Sequence, residues 1–232
     1  MIYIRRILDD LEISEVASLL LEVDFRDGVN TLALSNQNDL SKTHEMKWCL
    51  NHDSACPNAK RIGDIVFQAI DRDAGFMENT CANSSGFPII SRTEKGMYYR
   101  PHNDQAENGD YSTTVFLNPD TDYSGGGLRL MENGSITEHK LPAGWAITYD
   151  TGIAHEVSTV TEGHRDVAVF WTHSIYSDPR FRDIYGRIMK LANKLETPKV
   201  YPQSLEEYLD DPSYTTATLL TEFKRKFPPD RH

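Results

Sequence analysis

His102, Asn103 and Asp104 are followed far downstream by His155 and Arg165, and these residue types in this order point to a metal centre with an anion seat beside it. Two imidazoles and one carboxylate converging on a point form the 2-His-1-carboxylate triad, which holds Fe(II) and leaves positions open for reactants such as O2. Neutral imidazole is a borderline ligand for ferrous iron, and a single carboxylate offsets part of the charge without filling the coordination sphere. Oxygen-only sites suit Mg or Ca instead. On a β-strand the side-chain period of two puts His102 and Asp104 on one face and turns Asn103 to the other. His155 must arrive from a different strand, so a closed or sandwiched sheet is expected to bring positions 102 and 155 together.

A second His-x-Asp occurs at His164-Arg165-Asp166, and alternation separates it from the first. If Arg165 points inward, His164 and Asp166 point outward, away from any metal. No glycine-rich phosphate loop or Asp-Phe-Gly triplet accompanies His164-Arg165-Asp166, so a kinase reading fails. Arg165 shares its face with Val167, Val169 and Trp171, where an inward guanidinium is a buried cation that needs an anion. That anion is either a dicarboxylate co-substrate gripped in bidentate fashion or an internal Asp or Glu. Trp171, likewise, is either a pocket wall or an ordinary core residue.

Several stretches agree in order and spacing: Ser91-Arg92, Gly96-Met97-Tyr98-Tyr99, His102-Asn103-Asp104, Tyr111 through Asn118, Tyr123-Ser124-Gly125-Gly126-Gly127-Leu128, Leu141-Pro142-Ala143-Gly144, His155 and Arg165. From Ser91 to Trp171 the chain resembles the Fe(II)- and 2-oxoglutarate-dependent dioxygenases, in particular the prolyl 4-hydroxylase-like and PKHD-type hydroxylases. The resemblance implies a mainly β chain with flanking helices around a double-stranded β-helix, or jelly roll. It implies His102, Asp104 and His155 as metal ligands and Arg165 on the distal carboxylate of 2-oxoglutarate. Tyr99 and Trp171 match substrate-pocket positions, and Tyr99 and Thr114 lie towards the co-substrate. Asn103, Gln105 and Tyr111 are further candidates for the substrate side or for groups behind the ligands. The cofactors implied are Fe(II), 2-oxoglutarate and O2, with ascorbate as an accessory.

The implied reaction is hydroxylation of a C–H bond, of a prolyl residue in a peptide or protein or of a free amino acid. Asp104 fills the position that halogenases of the superfamily leave small. The chain departs from the prolyl hydroxylases at Thr93, where they often have tyrosine, and at Arg165, where they usually have lysine. A catalytically idle jelly roll that merely binds a metal and an acid is the alternative.

The elements that must position these residues are legible in part. Leu8 to Glu22 reads as a helix with Leu11, Val16, Leu19 and Leu20 on its apolar side, and Phe25 to Ala59 as loops and edge strands. Ile62, Ile65, Val66, Ala69 and Ile70 recur at helical spacing over Lys60 to Asp73. Strands are expected from Pro88 to Ile175, and helices at Arg180 to Leu195, Leu205 to Tyr208 and Thr216 to Phe227. With 232 residues, 39% hydrophobic, and a β core over about 88–175, one domain spanning 1–232 is expected. Gly125-Gly126-Gly127 reads as a tight turn between strands, since no helix or lysine follows to make a phosphate cradle.

Composition limits the partners. The formal net charge of −11 lacks the footprint of a nucleic-acid binder, and no Lys/Arg cluster exceeds Lys224-Arg225-Lys226. No run approaches the roughly 18 apolar residues of a membrane span, so a soluble cytoplasmic protein with no membrane partner is expected. Cys49, His52, Cys56 and Cys81, with His44 nearby, invite a zinc reading, but the spacing is unusual. Free buried thiols in a reducing compartment are the expectation.

Overall fold

The computed structural model describes residues 2–28, 45–132, 134–195 and 212–229. They group into two compact units, one of residues 1–72 and 85–172, the other of 73–84 and 173 onward. The helical spacing at 205–208 and His44 lie outside the described residues.

The first unit begins with β1 (Ile2–Arg6), α1 (Asp10–Leu20), β2 (Phe25–Asp27), β3 (Lys47–Trp48), β4 (Leu50–His52) and α2 (Pro57–Asp71). The second holds α3 (Ala74–Thr80) and most of β5 (Ala82–Ser85). The chain then builds β6 (Ile89–Glu94), β7 (Tyr98–His102), β8 (Tyr111–Phe116), β9 (Tyr123–Gly125), β10 (Leu128–Glu132), β11 (Ser135–His139), β12 (Trp145–Asp150), β13 (His155–Val157) and β14 (Val160–Ser174). The last helices are α4 (Pro179–Lys194) and α5 (Pro212–Lys226), in the second unit.

Two antiparallel sheets form the jelly roll of the first unit. The major sheet runs β1-β12-β8-β14-β6-β4-β2, and the minor one β11-β10-β13-β7-β3. Phe116, Ile147, Tyr149 and Val167 from the major sheet pack with Leu128 and Leu130 from the minor one in a buried cluster. Each such side chain contributes about 1.5–3 kcal/mol as an upper estimate. Tyr111 to Phe116 are all buried, because β8 is central and covered on both faces.

Helix α2 buries Ile62, Ile65, Val66, Ala69 and Ile70, the positions that the helical spacing singles out. Its Phe67 meets Phe170 of β14 edge to face, with centroids 5.9 Å apart. This helix therefore covers the face of the major sheet turned away from the inter-sheet core. Helix α1 is set by a capping box between Asp9 and Glu12 and buries Val16 and Leu20. Leu11 is 82% exposed, against expectation, and the buried positions of α1 are Val16 and Leu20. Strand β1, absent from the sequence reading, pairs with β12 and extends the sheet.

The triple glycine lies between two strands with positive φ at Gly125 and Gly126, as expected. It joins β9, which pairs with β14, to β10, which pairs with β11 and β13, so the turn carries the chain from one ladder to another. Gly125 has φ of 71°, and a Cβ there would lie 2.1 Å from the Thr159 carbonyl oxygen. Only glycine fits that approach.

In the second unit, Cys81, Tyr176 and Tyr185 are buried together, with Phe181, Leu220 and Phe223 packed against them. Among the described residues no helix is long and apolar enough to cross a membrane.

Candidate active site

His102 and His155 face each other across one ladder: β7 and β13 are hydrogen-bonded neighbours, and the two histidines are partners in register. His155 arrives from a strand other than that of His102, as expected, and both strands belong to the minor sheet. Asp104 differs from expectation. It lies beyond the end of β7, so its convergence on His102 comes from the chain turning after the strand and not from strand alternation.

The metal-binding atoms of His102, Asp104 and His155 all lie within 4.8 Å of one another, the one such cluster among the described residues. The His102 Nε2 is 3.8 Å from Asp104 Oδ1, and the His155 Nε2 is 3.7 Å from Oδ2. These separations suit groups that share an ion more than groups bonded to each other.

The imidazoles are oriented by backbone. Each Nδ1 donates to a carbonyl, that of Arg100 at 2.8 Å for His102 and that of Ile153 at 2.9 Å for His155. A carbonyl only accepts, so the proton sits on Nδ1 and the Nε2 lone pair is left for a metal. Burial, then the neighbouring His155, pushes the His102 imidazolium down to about 4, which keeps the ring in its neutral, ligating form. The Tyr99 ring stacks on His102 with centroids 3.6 Å apart and planes 17° from parallel.

The zinc alternative has no cluster among the described residues. Cys49, Cys56 and Cys81 are free and buried. His52 accepts the Ile90 N–H on its Nδ1 at 3.0 Å, and Cys56 precedes the first turn of α2.

Alternation along β14 places Arg165, Val167, Val169 and Trp171 on one cavity wall. Arg165 is 3% exposed, and its guanidinium lies 5.2 Å from the Phe116 ring centroid. Its Nε has no hydrogen-bond partner, and the buried Tyr123 hydroxyl, close enough to favour the guanidinium's charge, offsets only part of the cost of burying it. The internal salt bridge weighed for Arg165 is not made among the described residues. Asp166, the acid next to it in sequence, points to the other face and grips Arg92 with two bonds of 2.7 Å. Asp166 is therefore turned away from the metal site as expected, yet buried and not solvated. His164 is half exposed, its Nε2 3.5 Å from Asp166 Oδ2.

An orphaned buried donor on a cation is expensive unless an anion completes it. A carboxylate reaching Arg165 from the triad would do so, and the same cavity of about 300 Å³ connects them. The donor set thus fits both Fe(II) and a dicarboxylate. Tyr99, Gln105, Thr114 and Trp171 line this cavity too, and so does Asn103, which lies past the end of β7 and is not turned away as alternation would have it. Tyr111 does not. It is 3% exposed and separated from Thr114 by an odd number of strand positions, so the two face opposite sides of β8.

Two contributors, Ser112 and Lys47, escaped the sequence reading, and Trp171 makes a bond that it did not foresee. Ser112 Oγ donates to Asp104 Oδ2 at 2.6 Å; its shared face with Thr114 was the available signal. Trp171 Nε1 donates to the same oxygen at 2.9 Å, so this residue is more than a wall. Lys47 of β3 is 8% exposed, lines the cavity, and places its Nζ 4.9 Å from the Tyr99 ring centroid; nothing in its local sequence announced that.

Residues 88–173 match the family model described as the 2OG-Fe(II) oxygenase superfamily. A PKHD-type hydroxylase of Hyphomonas neptunium is 30% identical over 215 residues, covering 86% of this chain and 92% of that protein. Another from a Picosynechococcus species is 34% identical over 191 residues, covering 78% and 81%. Among solved structures, a Trichoplax adhaerens prolyl hydroxylase in complex with a hypoxia-inducible-factor peptide fragment aligns with a TM-score of 0.56 at 17% identity. It covers 74% of this chain and 82% of its own. A Pseudomonas putida prolyl-4-hydroxylase aligns with a TM-score of 0.50 at 16% identity, covering 75% and 92%. At these identities the two structures speak to the fold.

Proposed function

The chain belongs to the 2OG-Fe(II) oxygenase superfamily, among its PKHD-type hydroxylases, and from that premise we propose that His102, Asp104 and His155 hold the Fe(II) while Arg165 binds the distal carboxylate of 2-oxoglutarate. The substrate in this reading is a prolyl residue of a peptide or protein, or a free amino acid. The single observation that carries it is the shared cavity, with a neutral two-histidine, one-carboxylate cluster and a buried cation whose Nε is unpaired.

Bound there, Fe(II) with 2-oxoglutarate and O2 supplies the oxidation that places a hydroxyl on a C–H bond, while 2-oxoglutarate leaves as succinate and CO2. The chain's own residues set the conditions for that chemistry. The Nδ1–carbonyl bonds fix both imidazole planes, so ligation costs little reorganisation. Arg165, buried against Phe116, would hold and orient a carboxylate by its guanidinium. Thr114 and Tyr99 bound the co-substrate side, while Tyr99, Trp171 and Asn103 face the substrate. Aromatic walls supply apolar burial around the reacting carbon.

The prolyl option takes its support from the names of the similar proteins, the amino-acid option from the modest cavity. The three buried free thiols fit a reducing compartment, the cytoplasm. The test is Fe(II)-dependent conversion of 2-oxoglutarate to succinate, with mass spectrometry of a proline-rich peptide and of free amino acids. Gain of one oxygen atom on either substrate class is expected. Failure to consume 2-oxoglutarate would overturn the site assignment, and consumption without oxygen gain on either class would overturn the substrate assignment.

A further inference from the structure

The two oxygens of Asp104 have unlike surroundings. Oδ2 accepts Ser112 Oγ–H at 2.6 Å and Trp171 Nε1–H at 2.9 Å. Oδ1 accepts from no described residue and lies 3.8 Å from His102 Nε2, while Oδ2 also lies 3.7 Å from His155 Nε2. Ser112 is buried, with Thr151 Oγ1 3.4 Å from its oxygen. The indole N–H is donor-only, so its bond to the carboxylate cannot reverse. Hydrogen bonds to an ionised carboxylate are among the strong ones, and two on one oxygen occupy its favourable acceptor directions.

A hard divalent cation readily takes both oxygens of an unrestrained carboxylate. Such chelation would consume a coordination position that a three-ligand centre must leave open for its reactants. We infer that Ser112 and Trp171 are positioning residues that tie down Oδ2, so that Asp104 offers the metal Oδ1 alone. The inference rests on the reading that His102, Asp104 and His155 bind a divalent ion. It gives Trp171 a second task. The ring forms part of the cavity wall while its N–H sets the mode in which the carboxylate binds.

The test uses the purified full chain titrated with Co(II), whose visible absorption reports both affinity and coordination number. Trp171→Phe keeps an aromatic wall and removes the N–H; Ser112→Ala removes the hydroxyl. Loss of a group that orients a metal ligand typically costs about 10- to 100-fold in metal affinity, and that loss is expected for each variant. The bands should also weaken and shift as Asp104 becomes bidentate and the coordination number rises. Thermal melting and circular dichroism verify folding, and if Trp171→Phe does not fold, Ser112→Ala decides alone. Unchanged affinity and spectrum in the folded variants overturn the inference; no change in one of them strikes that residue from it. His102→Ala separates the two levels of the argument, because a variant that binds Co(II) as tightly as the parent would sink the metal-site reading itself.

Discussion

Arg92 and Arg165 occupy consecutive rungs of one ladder and have opposite fates. On the first rung, Arg92 of β6 is the register partner of Asp166 of β14, and the two close a bidentate ion pair with 2.7 Å bonds. On the next rung, Arg165 is opposite Thr93, which offers a hydroxyl and no charge. Alternation sends the first pair to the helix-covered face of the sheet and the second to the cavity. Arg92 is completed within the protein and belongs to the architecture; Arg165 faces the cavity with its Nε unpaired. Burial acts accordingly: Asp166 holds the Arg92 proton more firmly, whereas desolvation lowers the proton affinity of Arg165.

The largest expected effect is on the cavity side. His102→Ala, Asp104→Ala and His155→Ala should each abolish Fe(II)-dependent succinate formation while leaving a cooperative thermal melt. Parental turnover in any of the three would remove that residue from the triad. Next is Arg165→Ala. Loss of a desolvated carboxylate partner costs about 2–5 kcal/mol, or roughly 30- to several-thousand-fold in affinity. Anaerobic titration of 2-oxoglutarate, followed by the absorbance band of its Fe(II) chelate, should show at least the lower figure, with Arg165→Lys partly competent because it keeps charge and loses the fork. Undiminished affinity in the alanine variant would make the two rungs alike.

Thr93→Asp sharpens the contrast by giving Arg165 the internal acid that Arg92 already has. With Arg165 intact, 2-oxoglutarate affinity should still fall, by about tenfold or 1.4 kcal/mol, in the same anaerobic titration. Unchanged affinity would mean that the carboxylate of the co-substrate does not contact this rung. The smallest effect on binding belongs to Asp166→Ala. It strands Arg92 and should cost about 3 kcal/mol of stability, the lower end for broken buried pairs, because a fifth of the Arg92 side chain remains in solvent. Urea unfolding should register that loss while 2-oxoglutarate affinity stays at the parental value. A large drop in affinity would show that the two faces are coupled.

How far the site was legible depended on which rule applied. Period two alone sorted β14, placing Arg165, Val167, Val169 and Trp171 together and His164 and Asp166 opposite. The same rule, applied to Tyr111 and Thr114, excludes both from facing one cavity, and the structure keeps only Thr114. For His102 and Asp104 alternation gave convergence, but a chain turn after β7 produces it. Helix α2 was readable because its five apolar positions are all buried, whereas α1 buries two, Val16 and Leu20, of the four read for it. Strand β1 and Lys47 were not readable. Their places are fixed by partners far away in sequence, β12 and β7, and no local pattern encodes a distant register.

The facing of His102 and His155 across the β7–β13 ladder also bears on how the chain matures. Between them lie β8 through β12, and the β12–β8 and β10–β11 pairings are shorter-range than the closure of β13 on β7. Contacts of high sequence separation form slowly, so during synthesis Asp104 and the first imidazole emerge long before the second can join them. A nascent chain therefore has no such three-ligand site, and capture of an ion by the full set would report completion of the β7–β13 ladder. By mass action, an ion that binds only the finished form would also hold it closed.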